Sequence, residues 1–189
     1  MLVECGFVRA TLGDGAEFTF TPSLGRIATL GAPRELVAMF AALYGPNAEK
    51  AAAYVLAGLC DQDDVAPLIG EPRATGAGIV FEGGAMPAGE QLVIARHLLQ
   101  HGMIGRPKPG ATSAGGYAEE FRAEEYVAAA RAHLGMSAAD AEALSMTEMQ
   151  LMLEMKFPDA ARQAGRNDIP TAEEYEATMK AFEERRRVR

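Results

Sequence analysis

The chain has no tryptophan, two cysteines and three histidines among 189 residues, so the usual material of metal centres and disulfide frameworks is scarce. Cys5 and Cys60 are too few to staple a small secreted fold, and both are expected as reduced thiols. No uninterrupted apolar run reaches the roughly 18 to 20 residues that span a bilayer, so no membrane partner is expected. The opening MLVECGFVRATLGDG lacks the basic, apolar and small-residue sections of a secretory signal, which points to the cytoplasm. Basic charge is also in deficit. The net charge of −8 opposes broad attachment to nucleic acid or anionic lipid. Gly76-Ala77-Gly78 lacks the third glycine of a dinucleotide loop, and no Gly-Lys-Ser or Gly-Lys-Thr phosphate loop exists. Ser113, within GATSAG, has the wrong spacing for a nucleophile elbow and no strand before it. The chain therefore reads as a non-enzyme with no cofactor.

What is present is mostly helical pattern, and the expected class is α+β, mainly α. Val3, Cys5 and Phe7 alternate with other residues, Gly13-Asp14-Gly15 supplies a turn, and residues 17–21 alternate again, which predicts a β-hairpin. A short helix follows from a Ser23 cap to Leu30. Pro33 opens the next, to Tyr44, and Asn47 caps another over Ala48 to Leu59. Residues 61–86 are less periodic, with Ile79-Val80-Phe81 as a candidate strand. Pro87 starts a helix carrying Leu92, Ala95, Leu98 and Leu99 before Gly102. GRPKPGATSAGG, residues 105–116, is rich in glycine and proline and has no large apolar residue. It divides the chain into a hairpin-plus-helix domain over 1–104, a linker over 105–117 and a helical module over 118–189. Helices are expected there at Ala118 to Leu134, Ala138 to Leu144, Glu148 to Phe157 and Ala172 to about Arg186. Ser145 with Glu148 and Thr171 with Glu174 form capping-box pairs, and Thr147 is an alternative cap.

Three features invite a chemical reading. His97 and His101 stand four apart on a predicted helix and could supply two ligands to a transition metal, although Leu98 replaces the general base of the HExxH pattern. Two surface or helix-end histidines are the plainer alternative. Asp61, Asp63 and Asp64 lack the glycine and twelfth-position glutamate of a calcium loop. The third feature is methionine placement. Met136, Met146, Met149, Met152 and Met155 hold half of the ten methionines, and the last four recur every three residues. Joined by Leu151, Leu153 and Phe157, they form either core or an adaptable partner surface. Tyr175, Met179 and Phe182 give the last helix its own narrow stripe, and the chain closes on Arg185, Arg186, Arg187 and Arg189.

The run His133-Leu134-Gly135-Met136-Ser137, then Ala141, Leu144, Ser145-Met146-Thr147-Glu148-Met149 and Leu153-Glu154-Met155-Lys156-Phe157-Pro158, resembles tail-assembly proteins of tailed bacteriophages. Pro170-Thr171-Ala172-Glu173-Glu174-Tyr175, Phe20-Thr21-Pro22-Ser23 and Leu30-Gly31-Ala32-Pro33-Arg34-Glu35-Leu36 are similar to an uncharacterised phage family from tail-morphogenesis gene clusters. The resemblance implies a tail assembly chaperone in the host cytoplasm. Such a chaperone would keep the long, hydrophobic, helical tape-measure protein soluble while tail-tube subunits, the major tail protein, polymerise around it. Partner contacts are then expected from Met146, Met149, Met152, Met155, Phe157, Tyr175, Met179 and Phe182, and a homo-oligomer stays open. The rivals are a structural tail or neck protein of the virion and a small metal-dependent hydrolase built on His97 and His101.

Overall fold

The computed structural model describes residues 3–76, 78–106 and 118–158. The fold is α+β and mainly α. Strands β1 (Val8–Thr11) and β2 (Glu17–Phe20) pair antiparallel, with Val8 opposite Phe20 and Thr11 opposite Glu17. The hairpin starts later than its alternation suggested. Val3–Cys5 is a 3-10 turn, and Gly6 follows it at φ 97°. A Cβ on Gly6 would stand 2.3 Å from the Cβ of His101, so the close approach requires glycine. Phe18 and Phe20 are buried while Glu17 is exposed, giving β2 one core face. Two strands alone are marginal. Here β2 is extended by the chain after the third helix: Thr21 N–H donates to the Leu59 carbonyl at 3.0 Å and Asp61 N–H to that of Thr19 at 2.8 Å.

Helix α1 (Leu24–Thr29) is capped by Ser23, whose Oγ accepts the Arg26 N–H at 3.3 Å. In α2 (Pro33–Ala42) proline takes the first turn, where its missing N–H costs nothing, and Glu35 accepts the Ala32 N–H at 2.8 Å. The side chain of Asn47 makes no cap for α3 (Ala48–Leu59), contrary to expectation; its carbonyl accepts the Ala51 N–H instead. Two of the three aspartates after α3 have structural work. Asp61 accepts from Thr21 Oγ1 at 2.9 Å and pairs with Arg26 at 3.1 Å, and Asp64 accepts the Ala66 N–H at 3.0 Å.

After α4 (Ala66–Ile69), strands β3 (Glu71–Thr75) and β4 (Gly78–Glu82) form a second antiparallel hairpin. The strand at Ile79–Phe81 was legible, but β3 was not. It is exposed at every position and contains Pro72, so it carries no alternation. Helix α5 (Ala88–Leu99) packs along α3, and Leu56, Leu59, Ala95, Leu98 and Leu99 are fully buried. Each such leucine contributes about 1.5–3 kcal/mol. The helix does not stop before Gly102 but widens into a π-helical turn over Gln100–Ile104. Gly102 lies so close to α1 that a Cβ would meet Ile27 Cδ1 at 2.8 Å.

Helix α6 (Ala123–Leu134) begins at Ala123 rather than Ala118. Its lead-in is tied down elsewhere: the Phe121 N–H donates to the Pro33 carbonyl at 2.9 Å, and the Phe121 ring stacks on Tyr126 at 5.2 Å. Gly135 ends α6 in the left-handed conformation at φ 72°. Ser137 caps α7 (Ala138–Ala143), and Ser145 opens α8 (Met146–Lys156). These helices join the first part of the chain. Leu24 N–H donates to the Leu144 carbonyl at 2.8 Å, and Ala130, Ala141, Met146 and Met149 belong to the same buried cluster as Phe20, Ile27 and Leu99. The helices before and after the glycine-rich stretch thus share one core. Of that stretch, residues 107–117 lie outside the described residues.

Candidate partner-binding face

Helix α8 explains itself from its first residue. The Ser145 Oγ accepts the Glu148 N–H at 3.2 Å, and the Glu148 carboxylate accepts the Ser145 N–H at 2.9 Å. This reciprocal pair satisfies two donors that a helix start leaves orphaned. Thr147, weighed as an alternative cap, is instead wholly buried, and its Oγ1 lies 2.8 Å from His101 Nδ1.

A residue every three positions does not make one face. Each residue turns the helix by about 100°, so each third residue falls back by about 60°, and three such steps reach the opposite side. The methionines follow that drift. Met146 and Met149 are core, at 3% and 4% exposure, whereas Met152 is 38% and Met155 82% exposed. Phe157 is 43% exposed. The expected five-residue groove is therefore two things: an inner anchor of Met146 and Met149, and an outer apolar face of Met152, Met155 and Phe157. Tyr175, Met179 and Phe182 lie outside the described residues.

The outer face is held in place. Lys156 Nζ donates to the His133 carbonyl at 2.6 Å, satisfying one of the last carbonyls of α6, and the Phe157 ring meets His133 edge-on at 6.2 Å. Sequence reasoning missed this brace, because a Lys–carbonyl contact has no spacing signature. It also missed Gln150. That side chain closes the end of the π-helical turn: its Nε2 donates to the Ile104 carbonyl at 3.0 Å and its Oε1 accepts the Arg106 N–H at 2.9 Å.

The histidine pair lies at the same junction. The rings of His97 and His101 are 4.5 Å apart, and His97 Nε2 is buried without a hydrogen-bond partner. Burial, and then the neighbouring His97, hold His101 below its ordinary value, so its ring is neutral near pH 7. Among the described residues no three His, Cys, Asp or Glu side chains gather as a metal-ligand set. With His101 Nδ1 engaged by Thr147, the pair offers too few free donors for a tetrahedral site. Burial also pushes the Cys5 and Cys60 thiols up, which makes both poor nucleophiles.

A second apolar feature lies between α1, α6 and α7. It is a groove of about 450 Å³ lined by small and aliphatic residues, Leu24, Gly25, Ala28, Ala123 and Val127, together with Glu124, Arg131 and Glu142. No described helix is long and apolar enough to cross a membrane.

Against known proteins, residues 42–177 match the model of a family described as "Family of unknown function (DUF6246)". The match covers more than two-thirds of the chain. The chain belongs to the DUF6246 family. No curated protein matches it. No solved structure matches it either. The DUF6246 span runs from the end of α2 through the whole of α8 and on to residue 177, so it includes both the inner anchor and the outer apolar face. The first hairpin and α1 precede it.

Proposed function

We propose that this DUF6246 protein is a tail assembly chaperone or adaptor of tailed bacteriophages. It binds the hydrophobic, helical tape-measure protein in the host cytoplasm, with the major tail protein as a second partner. The observation that carries the reading is the outer end of α8, where Met152, Met155 and Phe157 face outward on a braced helix. Thioether side chains are unbranched and polarizable and adapt to varied apolar stripes, which suits a partner that is long, hydrophobic and helical. Three apolar anchors with charged neighbours favour binding that can reverse as the tube grows, which a large dry interface would resist. The net charge of −8 favours a soluble complex. The assigned role is non-enzymatic, with no catalytic residue, metal or cofactor.

Co-expression with each neighbouring tail gene product tests the reading. The tape-measure protein is expected to become soluble and co-purify. If no long partner is rescued, and mass spectrometry of purified particles finds this chain at fixed copy number, the structural tail or neck protein replaces the chaperone.

A further inference from the structure

The outward side of α5 is apolar at its centre and carries opposite charges on its two flanks. Gln91, Ala95, Leu98 and Leu99 turn into the core. Each residue advances a helix by about 100°, so Val93 points away from all four. It is 66% exposed. Glu90 and Arg96 stand three residues before and three after Val93, about 60° to either side of it and one on each side along the helix axis. Among the described residues the Glu90 carboxylate has no ion-pair partner. The Arg96 guanidinium donates through Nε and Nη2 to the Leu43 carbonyl at 3.0 and 2.7 Å, and it lies 4.5 Å over the ring of the exposed Tyr44. This clamp fixes the guanidinium and leaves its Nη1 available. On the Glu90 flank lies a shallow depression of about 480 Å³, lined by Pro87, Gly89, Glu90, Val93 and Ile94.

These features are complementary to themselves. A twofold axis through Val93, perpendicular to α5, reverses both the direction along the helix and the flank. It lays α5 antiparallel on α5 of a second copy, with Val93 against Val93, and sets each Glu90 over Arg96 of the other copy. The same operation carries Arg96 and Tyr44 of each copy toward the depression beside Glu90 of the other. Gly89, where a Cβ would meet nothing within 4 Å, leaves room for the approach. A helix with charges of one sign, or with both charges on one flank, would not match itself in this way. We propose that α5 is the interface of a symmetric homodimer, centred on Val93 and closed by two Glu90–Arg96 ion pairs between copies. The proposal is independent of the chaperone reading, because this face belongs to a different helix from the outer end of α8.

Sedimentation equilibrium of the full chain tests it, with concentration raised to about 0.5 mM. The mass is expected to move from the 20.1 kDa of one chain toward that of two. Val93→Asp is expected to raise the dissociation constant at least about a hundredfold and Glu90→Arg about tenfold. Both side chains are exposed, so the melting temperature of the monomer is expected to stay unchanged, which separates loss of the interface from loss of the fold. A residue on a twofold axis meets its own copy, so Val93→Cys is expected to form a disulfide between copies about tenfold faster than Glu125→Cys, at an exposed position on α6. A chain that stays monomeric throughout the range would overturn the proposal, as would a dimer that survives Val93→Asp or equal cross-linking at the two positions. A monomeric chain that loses a different co-purifying protein on Val93→Asp would also overturn it, and would assign the face to that protein.

Discussion

The two ends of α8 carry the same residue type at the same spacing and do opposite things. At the inner end Met146 and Met149 are sealed in the core beside Thr147, Ser145 and the His101 ring, with cap and side-chain hydrogen bonds in place. At the outer end Met152 and Met155 turn to the surface, and the helix is held by Lys156 and Phe157 against His133. The difference teaches that a three-residue repeat winds a side chain around a helix instead of collecting it on one face. Composition flagged this helix. The drift of its repeat decides which methionines can meet a partner.

The sharpest way to break the comparison is to shorten one methionine at each end. Met149→Ala is expected to cost about 2–5 kcal/mol, since it opens a cavity in a packed cluster, while Met155→Ala is expected to change stability by about 0.5 kcal/mol or less. Urea midpoints of the two variants check this, and equal losses would undo the division. Next in size is Thr147→Val, which keeps the shape but leaves His101 Nδ1 buried without its 2.8 Å partner. A loss of about 1–3 kcal/mol is expected by thermal or chemical denaturation. Ser145→Ala removes the helix cap at the same junction and is expected to cost about 1 kcal/mol, also visible as faster amide exchange in the first turn of α8.

A smaller effect comes from pH. His101 is held below its ordinary value of 6.5, so as pH falls the unfolded chain takes up a proton before the folded chain does. The stability from neutral His101 is full above that value and declines as pH falls below it toward the folded value. His101→Gln is expected to flatten this part of the stability curve between about pH 7.5 and 5, measured as the wild-type minus variant difference. A difference that does not vary with pH would show that the ring titrates as it would in water.

The legible parts of the fold are those with strong local chemistry. Ser23 and Ser145 cap real helices, Pro33 opens α2, and β2 keeps its alternation because one face is core and the other is not. β3 had no such contrast, being exposed throughout, and so left no pattern to read. The expected start of β1 at Val3 failed because Gly6 turns the chain to pass against His101, a contact 95 positions away in sequence. The candidate site was half legible. Its residue types stood out, but Lys156 reaching a carbonyl of α6 and Gln150 closing a π-helical turn depend on packing between distant segments. The sharing of one core across the glycine-rich stretch has the same origin: the Leu24–Leu144 hydrogen bond joins elements that no local pattern connects.

The most direct measurement co-expresses the tape-measure protein of the same gene cluster with the wild-type chain and with Met155→Asp, and compares recovery in the purified complex. The account expects co-purification with the wild type and at least about a tenfold loss with Met155→Asp at an unchanged melting temperature, because an outward charge breaks the apolar face without entering the core. Equal recovery with both chains would contradict a partner-binding role for the outer end of α8.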